Sequence, residues 1–161
     1  MILAKDGVSV DLPSGWEGRA FVPTVPPPAI NFPVLHAASF PLVPDDSSFG
    51  GRLAAAMGGR DAMFALVEYD PRLAGDALFR EWRLPITLTG AQVHPMALQV
   101  PRPGQGGIQR FFAASARAFC LYVILGSRGG AGARIAEVNR ILASIRVAPL
   151  ARTLPSNDGV W

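Results

Sequence analysis

The chain has 161 residues, half of them hydrophobic and 17% charged, with a formal net charge of +3. That length suits one ordinary domain with its own core, and the apolar content excludes wholesale disorder. A single cysteine excludes an internal disulfide, no Cys and His share zinc-site spacing, and no apolar run reaches membrane-spanning length.

In chain order, Val8, Val10 and Leu12 alternate with Ser9 and Asp11, the period-two pattern of a half-buried strand. The Pro13-Ser14-Gly15 turn then predicts a hairpin to a second strand within 15–22. Pro23, Pro26, Pro27, Pro28 and Pro33 make 23–33 a stiff extended loop or edge, because proline lacks the donor of a central strand. Basic flanks that would mark a polyproline ligand are absent. Residues 34–43 read as a third strand. Ser47 or Ser48 caps a short helix over 49–57, in which Phe49, Leu53 and Met57 share one face. Residues 62–69 form a fourth strand and 71–82 a short helix or irregular connection.

Between 84 and 100 lie two β-prone pieces, LPITL and MALQV. PRPGQGG (101–107) carries three glycines, but a Walker loop ends in Lys-Ser or Lys-Thr, and a dinucleotide loop lies between a strand and a helix. It reads instead as a flexible hairpin loop. Residues 107–115 and 116–126 are paired strands around a bend near Ser115. Ile135, Val138, Ile141, Leu142 and Ile145 then form one stripe of the chain's clearest helix, with Arg134, Glu137, Asn139 and Arg140 off it. The tail 149–161 has two prolines and an SNDG turn and extends from the globule.

The 119–125 run is apolar on both faces, which predicts a strand at the centre of a sheet covered above and below. With antiparallel neighbours and two helices, the expected fold is α+β, a three-layer α/β/α sandwich around a central antiparallel sheet. Cys120 lies inside that run, where an apolar setting raises the thiol pKa and leaves it inert, so it reads as packing. No nucleophile elbow accompanies His36 or His94. Asp45–Asp46 reads as a helix-start cap and Glu68-Tyr69-Asp70 as strand-end solvation. The basic residues, all arginine except Lys5, are scattered, which argues against nucleic acid as a partner. No cofactor, metal or catalytic residue is assigned.

The opening GVSVDLPSGW, the closing IQRFFAASARAFCLYVILG and the last helix RIAEVNRILASIRV resemble the Mog1/PsbP-like superfamily. The chain is also similar to small uncharacterised proteins of high-GC Gram-positive bacteria. The superfamily resemblance spans most of residues 1–148, leaves 149–161 as a tail, and implies the same α/β/α sandwich. It further implies binding, since members dock on a small GTPase or on a photosystem's lumenal face. It transfers no catalytic residue.

The leading functional expectation is therefore a non-catalytic protein-binding or assembly module. Its anchors would be Ile30 and Phe32 on the proline-rich loop and Leu154, Val160 and Trp161 on the tail, because exposed aromatics on extended segments suit a partner. Trp161 folding back onto its own domain is the competing expectation. Two other readings stay open. One is an enzyme whose site is assembled from His36, Tyr69, Asp70, His94 or Arg110, and the other is a carrier of a small apolar ligand. A start without an apolar h-region predicts a cytoplasmic location, and the oligomeric state is open, a homo-oligomer included.

Overall fold

Two antiparallel sheets and two helices make up the regular structure of the described residues. The computed structural model describes residues 1–24, 26 and 31–151. Four strands come first: β1 (Ile2–Lys5), β2 (Val8–Asp11), β3 (Glu17–Phe21) and β4 (Val34–Ala38). Helix α1 (Gly51–Ala56) follows, then β5 (Ala62–Tyr69) and the long pair β6 (Gly106–Ala114) and β7 (Arg117–Leu125). Helix α2 (Ala131–Leu142) leads into the two-residue strand β8 (Arg146–Val147). The larger sheet has the order β3-β4-β5-β7-β6 and the smaller β1-β2-β8.

Side-chain alternation along these strands explains the core. One face of the larger sheet sends Phe64, Leu66, Phe112, Phe119, Leu121 and Val123 into a cluster with Ile135, Val138, Ile141 and Leu142 of α2. The other sends Met63, Val67, Cys120, Tyr122 and Ile124 against Leu53 and Ala54 of α1, with Leu98 and Phe49 beside them. Every residue of β7 is buried, so this strand packs on both sides. Fully burying each large apolar side chain contributes about 1.5–3 kcal/mol, which makes β7 a large source of hydrophobic stabilisation. Burial pushes the Cys120 thiol up to about 12, and the residue has no exposed surface, so the sulfur acts as core.

The first hairpin departs from expectation. β2 does not pair with the strand after Pro13-Ser14-Gly15; it pairs with β1 and with β8, whereas β3 joins the larger sheet. The turn that wins is Asp6-Gly7, whose positive φ values of 50° and 79° suit a two-residue hairpin loop matching strand twist. Asp-Gly carries that tendency more strongly than the Pro-Ser-Gly that follows. In the larger sheet, Ser115 and Ala116 (φ 50° and 59°) close the expected tight bend between β6 and β7.

Residues 84–100 form no strand. A 3-10 turn at Gly90–Gln92 lies between the two β-prone pieces and another, at Pro95–Ala97, runs into the second, while 84–88 is irregular. Asn139 of α2 explains how Leu88 is held without a strand neighbour: its Oδ1 accepts from the Leu88 N–H at 2.9 Å and its Nδ2 donates to the Leu88 carbonyl at 2.8 Å. One side-chain amide thus supplies both bonds of a ladder partner while Ile86 and Leu88 bury. His94 and Gly107 exchange the only antiparallel bridge of this stretch, each N–H donating to the other's carbonyl at 3.0 Å.

Helix α1 is capped from further back than Ser47 or Ser48. Gly50 occupies the N-cap in a left-handed conformation, and the buried Asp45 carboxylate accepts from the N–H groups of Arg52 (2.7 Å) and Leu53 (3.2 Å). Ser47 Oγ accepts more weakly from Gly51 N–H at 3.3 Å. Burial alone would raise Asp45, but the hydrogen bonds from Ser47, Arg52 and Leu53 outweigh it and hold the carboxyl below its ordinary range.

Candidate functional site

Glu68 lies near the end of β5 and Arg117 at the start of the neighbouring β7, a diagonal cross-strand pair. Far from solvating a strand end, Glu68 is buried. Its two carboxylate oxygens accept from Arg117 Nε and Nη2, both at 2.8 Å, with the two side chains 3% and 1% exposed. This is the planar bidentate pairing to which a guanidinium is suited and an ammonium is not. Arg117 Nη1 also donates to the carbonyls of Asp6 and Ala148, each at 2.9 Å. One side chain therefore ties the β1–β2 turn and the exit of β8 to the larger sheet. Gly7 is required beside it: a Cβ there would lie 3.2 Å from Arg117 Nη1 and 3.3 Å from the Ala148 Cβ, at a φ of +79°.

Above this pair opens a groove of about 580 Å³. Its apolar walls are Phe32, Pro33 and Pro71 on one side and Pro149, Leu150 and Ala151 on the other. The Glu68 N–H donates to the Pro33 carbonyl at 3.1 Å, which anchors the end of the proline-rich loop. Glu68 thus holds both sides of the groove, one through its backbone and the other through Arg117 and Ala148. Phe32 is half-buried there, and Leu150 is 48% exposed. Of the anchors expected from the sequence, Phe32 lies in this groove, whereas Ile30, Leu154, Val160 and Trp161 lie outside the described residues.

The residues considered for an assembled active site each engage a different local partner. His36 is buried in β4, its Nε2 3.1 Å from the Ser48 carbonyl and its ring edge-on to Phe21. Desolvation dominates its environment and lowers its pKa. Tyr69 packs against Phe79 and Phe111, and Asp70 caps the following turn and pairs with Arg72. Arg110 lies over the Trp82 ring at 4.4 Å, and His94 Nδ1 accepts from the Met96 N–H. Among the described residues no three His, Cys, Asp or Glu side chains gather as a metal set, and no helix is long and apolar enough to cross a membrane.

The Glu68–Arg117 pair was missed because each partner looks ordinary alone: a carboxylate near one strand's end, an arginine at another's start. The available signal was that both interrupt otherwise apolar runs. Comparison with family models, with curated proteins and with solved structures returned no match. The fold and its geometry define the class: an α+β domain with two antiparallel sheets.

Proposed function

We propose that this chain is a non-catalytic protein-binding or assembly module that works through the groove at Phe32 and the C-terminal segment leaving at Pro149. In this reading the domain is the three-layer α/β/α sandwich of the Mog1/PsbP-like superfamily, it acts in the cytoplasm, and its partner is another protein. The burial of the larger sheet on both faces, with α2 on one and α1 on the other, supports the layered arrangement.

The observation that carries the functional reading is the shared root of the two segments. Phe32 and Pro33 end the proline-rich loop and Pro149 to Ala151 begin the tail, and all five line one groove. Phe32 therefore lies at the same end of the domain as Pro149 to Ala151. Apolar side chains on stiff, proline-bounded chain lose little entropy on docking, which favours their use as anchors.

The test is site-specific photo-crosslinking in the native host, with the crosslinker at position 32 or 150 and, as control, at the exposed Met96. A partner adduct should form from 32 and 150, not from 96, and the adduct from 32 should disappear when residues 150–161 are removed. Thermal stability should be nearly unchanged by that deletion, because β8 and the Arg117 bond to Ala148 are retained. Equal adducts from 96, or an unaltered adduct after the deletion, would sink the reading.

A further inference from the structure

A second cavity, of about 370 Å³, lies on the α1 face of the larger sheet, away from the Phe32 groove. Its apolar wall is Phe49, Leu98, Val100 and Ile124. Polar atoms face it from the PRPGQGG loop and from β7. Gln105 is 6% exposed and its Nε2 donates to the Ala54 carbonyl at 2.8 Å. That partner can only accept, so the amide orientation is determined and Oε1 is the free atom. Gln105 Oε1 is buried without a partner, and so is Arg102 Nε. Among the described residues Arg102 makes no ion pair. The carboxylates that line a neighbouring opening with Arg102 are engaged elsewhere, Asp45 at the start of α1 and Asp46 with Arg19. The Tyr122 hydroxyl accepts from the Gln99 N–H at 2.8 Å and has its own proton to give.

An orphaned buried polar atom costs about 1–3 kcal/mol, so two of them beside one cavity need a reason. A single water takes up ~30 Å³, far less than this space, and the volume falls within the range of small-molecule sites. The three groups dictate the ligand. Arg102 and the Tyr122 proton ask for an anionic acceptor, Gln105 Oε1 asks for an N–H or O–H donor, and the wall asks for an apolar body. Arg102 and Gln105 bracket one tight turn, the Gln105 N–H donating to the Arg102 carbonyl at 3.2 Å, so the ligand's acceptor and donor lie close together. We propose that this cavity binds a small carboxylic acid with a hydroxyl or amino donor on the adjacent carbon and an apolar side chain, the carboxylate on Arg102 and Tyr122 and the donor on Gln105 Oε1. This differs from an apolar-ligand carrier, whose pocket would leave all three polar groups unanswered.

The probe is 3-phenyllactate, titrated into the full chain and followed by amide chemical shifts and calorimetry. L-phenylalanine (amino donor), 3-phenylpropionate (no donor) and 3-phenylpropane-1,2-diol (no charge) complete the set. Shifts should concentrate at residues 98–105 and 122–124. Binding should weaken about tenfold or more in Arg102→Met, since a charge-assisted hydrogen bond is lost, and more modestly in Tyr122→Phe. The hydroxy or amino acid, whichever binds better, identifies the donor. Binding of the diol as tight as that of 3-phenyllactate, unchanged affinity in Arg102→Met, or no response to any of the four up to about 10 mM would overturn the proposal. Arg102 holds no structural partner, so its variant folds and the result is readable.

Discussion

At the Arg117 end of the domain, one guanidinium donates four hydrogen bonds and all four acceptors belong to the chain itself. In the cavity beside α1, Arg102 Nε and Gln105 Oε1 have none. Arg117 is buried and Arg102 half-buried; the first cluster is finished and the second open. The difference separates two uses of buried polarity. Where the fold supplies every partner, the cluster joins pieces of chain that are distant in sequence. Where it leaves partners out, the cluster is ready for something that the chain does not contain.

The largest effect is expected from breaking the finished cluster. Arg117→Met leaves the Glu68 carboxylate buried and alone, and should cost about 3–5 kcal/mol in a denaturant unfolding experiment. Replacing both residues, Glu68→Met with Arg117→Met, should recover much of that loss, because no charge is then stranded. A double variant no better than the single one would show that the bonds to Asp6 and Ala148 matter more than the ion pair.

An intermediate effect belongs to the face that carries the open cavity, where His36 holds the Ser48 carbonyl. Burial lowers the His36 pKa below its unfolded value, so the unfolded chain takes up a proton that the folded one refuses. Stability is then complete above about pH 6.5 and declines as the pH falls through that value toward the lower folded one. Asp45, also depressed, adds a separate loss only at more acidic pH, below about 4. His36→Gln should flatten the first decline and leave the second, as read by unfolding midpoints across pH.

The smallest effect sharpens the comparison most. Arg102→Met should cost no more than about 0.5 kcal/mol of stability without ligand, because no partner in the chain is lost and an orphaned buried atom is removed. The same substitution at 117 and 102 thus reports how differently two arginines are used. A large loss at 102 would mean that the open cluster is closed by contacts within the chain.

Much of this architecture is readable from pattern alone. The 62–69, 106–114 and 117–125 strands and the 51–56 and 131–142 helices carry their periods in local sequence, because burial on one or both faces leaves an imprint at every second or every third and fourth residue, whereas the helical reading runs on through 143–147, where β8 forms instead. Asp6-Gly7 was also legible as a hairpin turn, and its omission sent β2 to the wrong neighbour. The stretch 84–100 was not legible: Ile86 and Leu88 are buried as strand residues are, but Asn139 from a distant helix supplies their backbone partner. Phe32 stood out as an apolar residue on a proline-rich loop, but its place in one groove with Pro149 to Ala151 was not legible. Arg102 and Gln105 hid in a turn-rich loop that composition marks as mobile, whereas the Gln105 amide and the Arg128 bond to the Gly104 carbonyl pin it to α1 and to the chain after β7.

The sequence by itself determined the α+β class, the antiparallel pairing of β6 with β7 and the muteness of Cys120, since each follows from local hydrophobic periodicity and the cost of charging a thiol in apolar surroundings. Only the tertiary structure decided that Glu68 meets Arg117, that Phe32 and Pro33 share a groove with Pro149 to Ala151, and that Arg102 and Gln105 face one cavity. Those outcomes depend on which residues, far apart in the chain, the two sheets bring within a hydrogen bond's reach, and no local pattern encodes that distance.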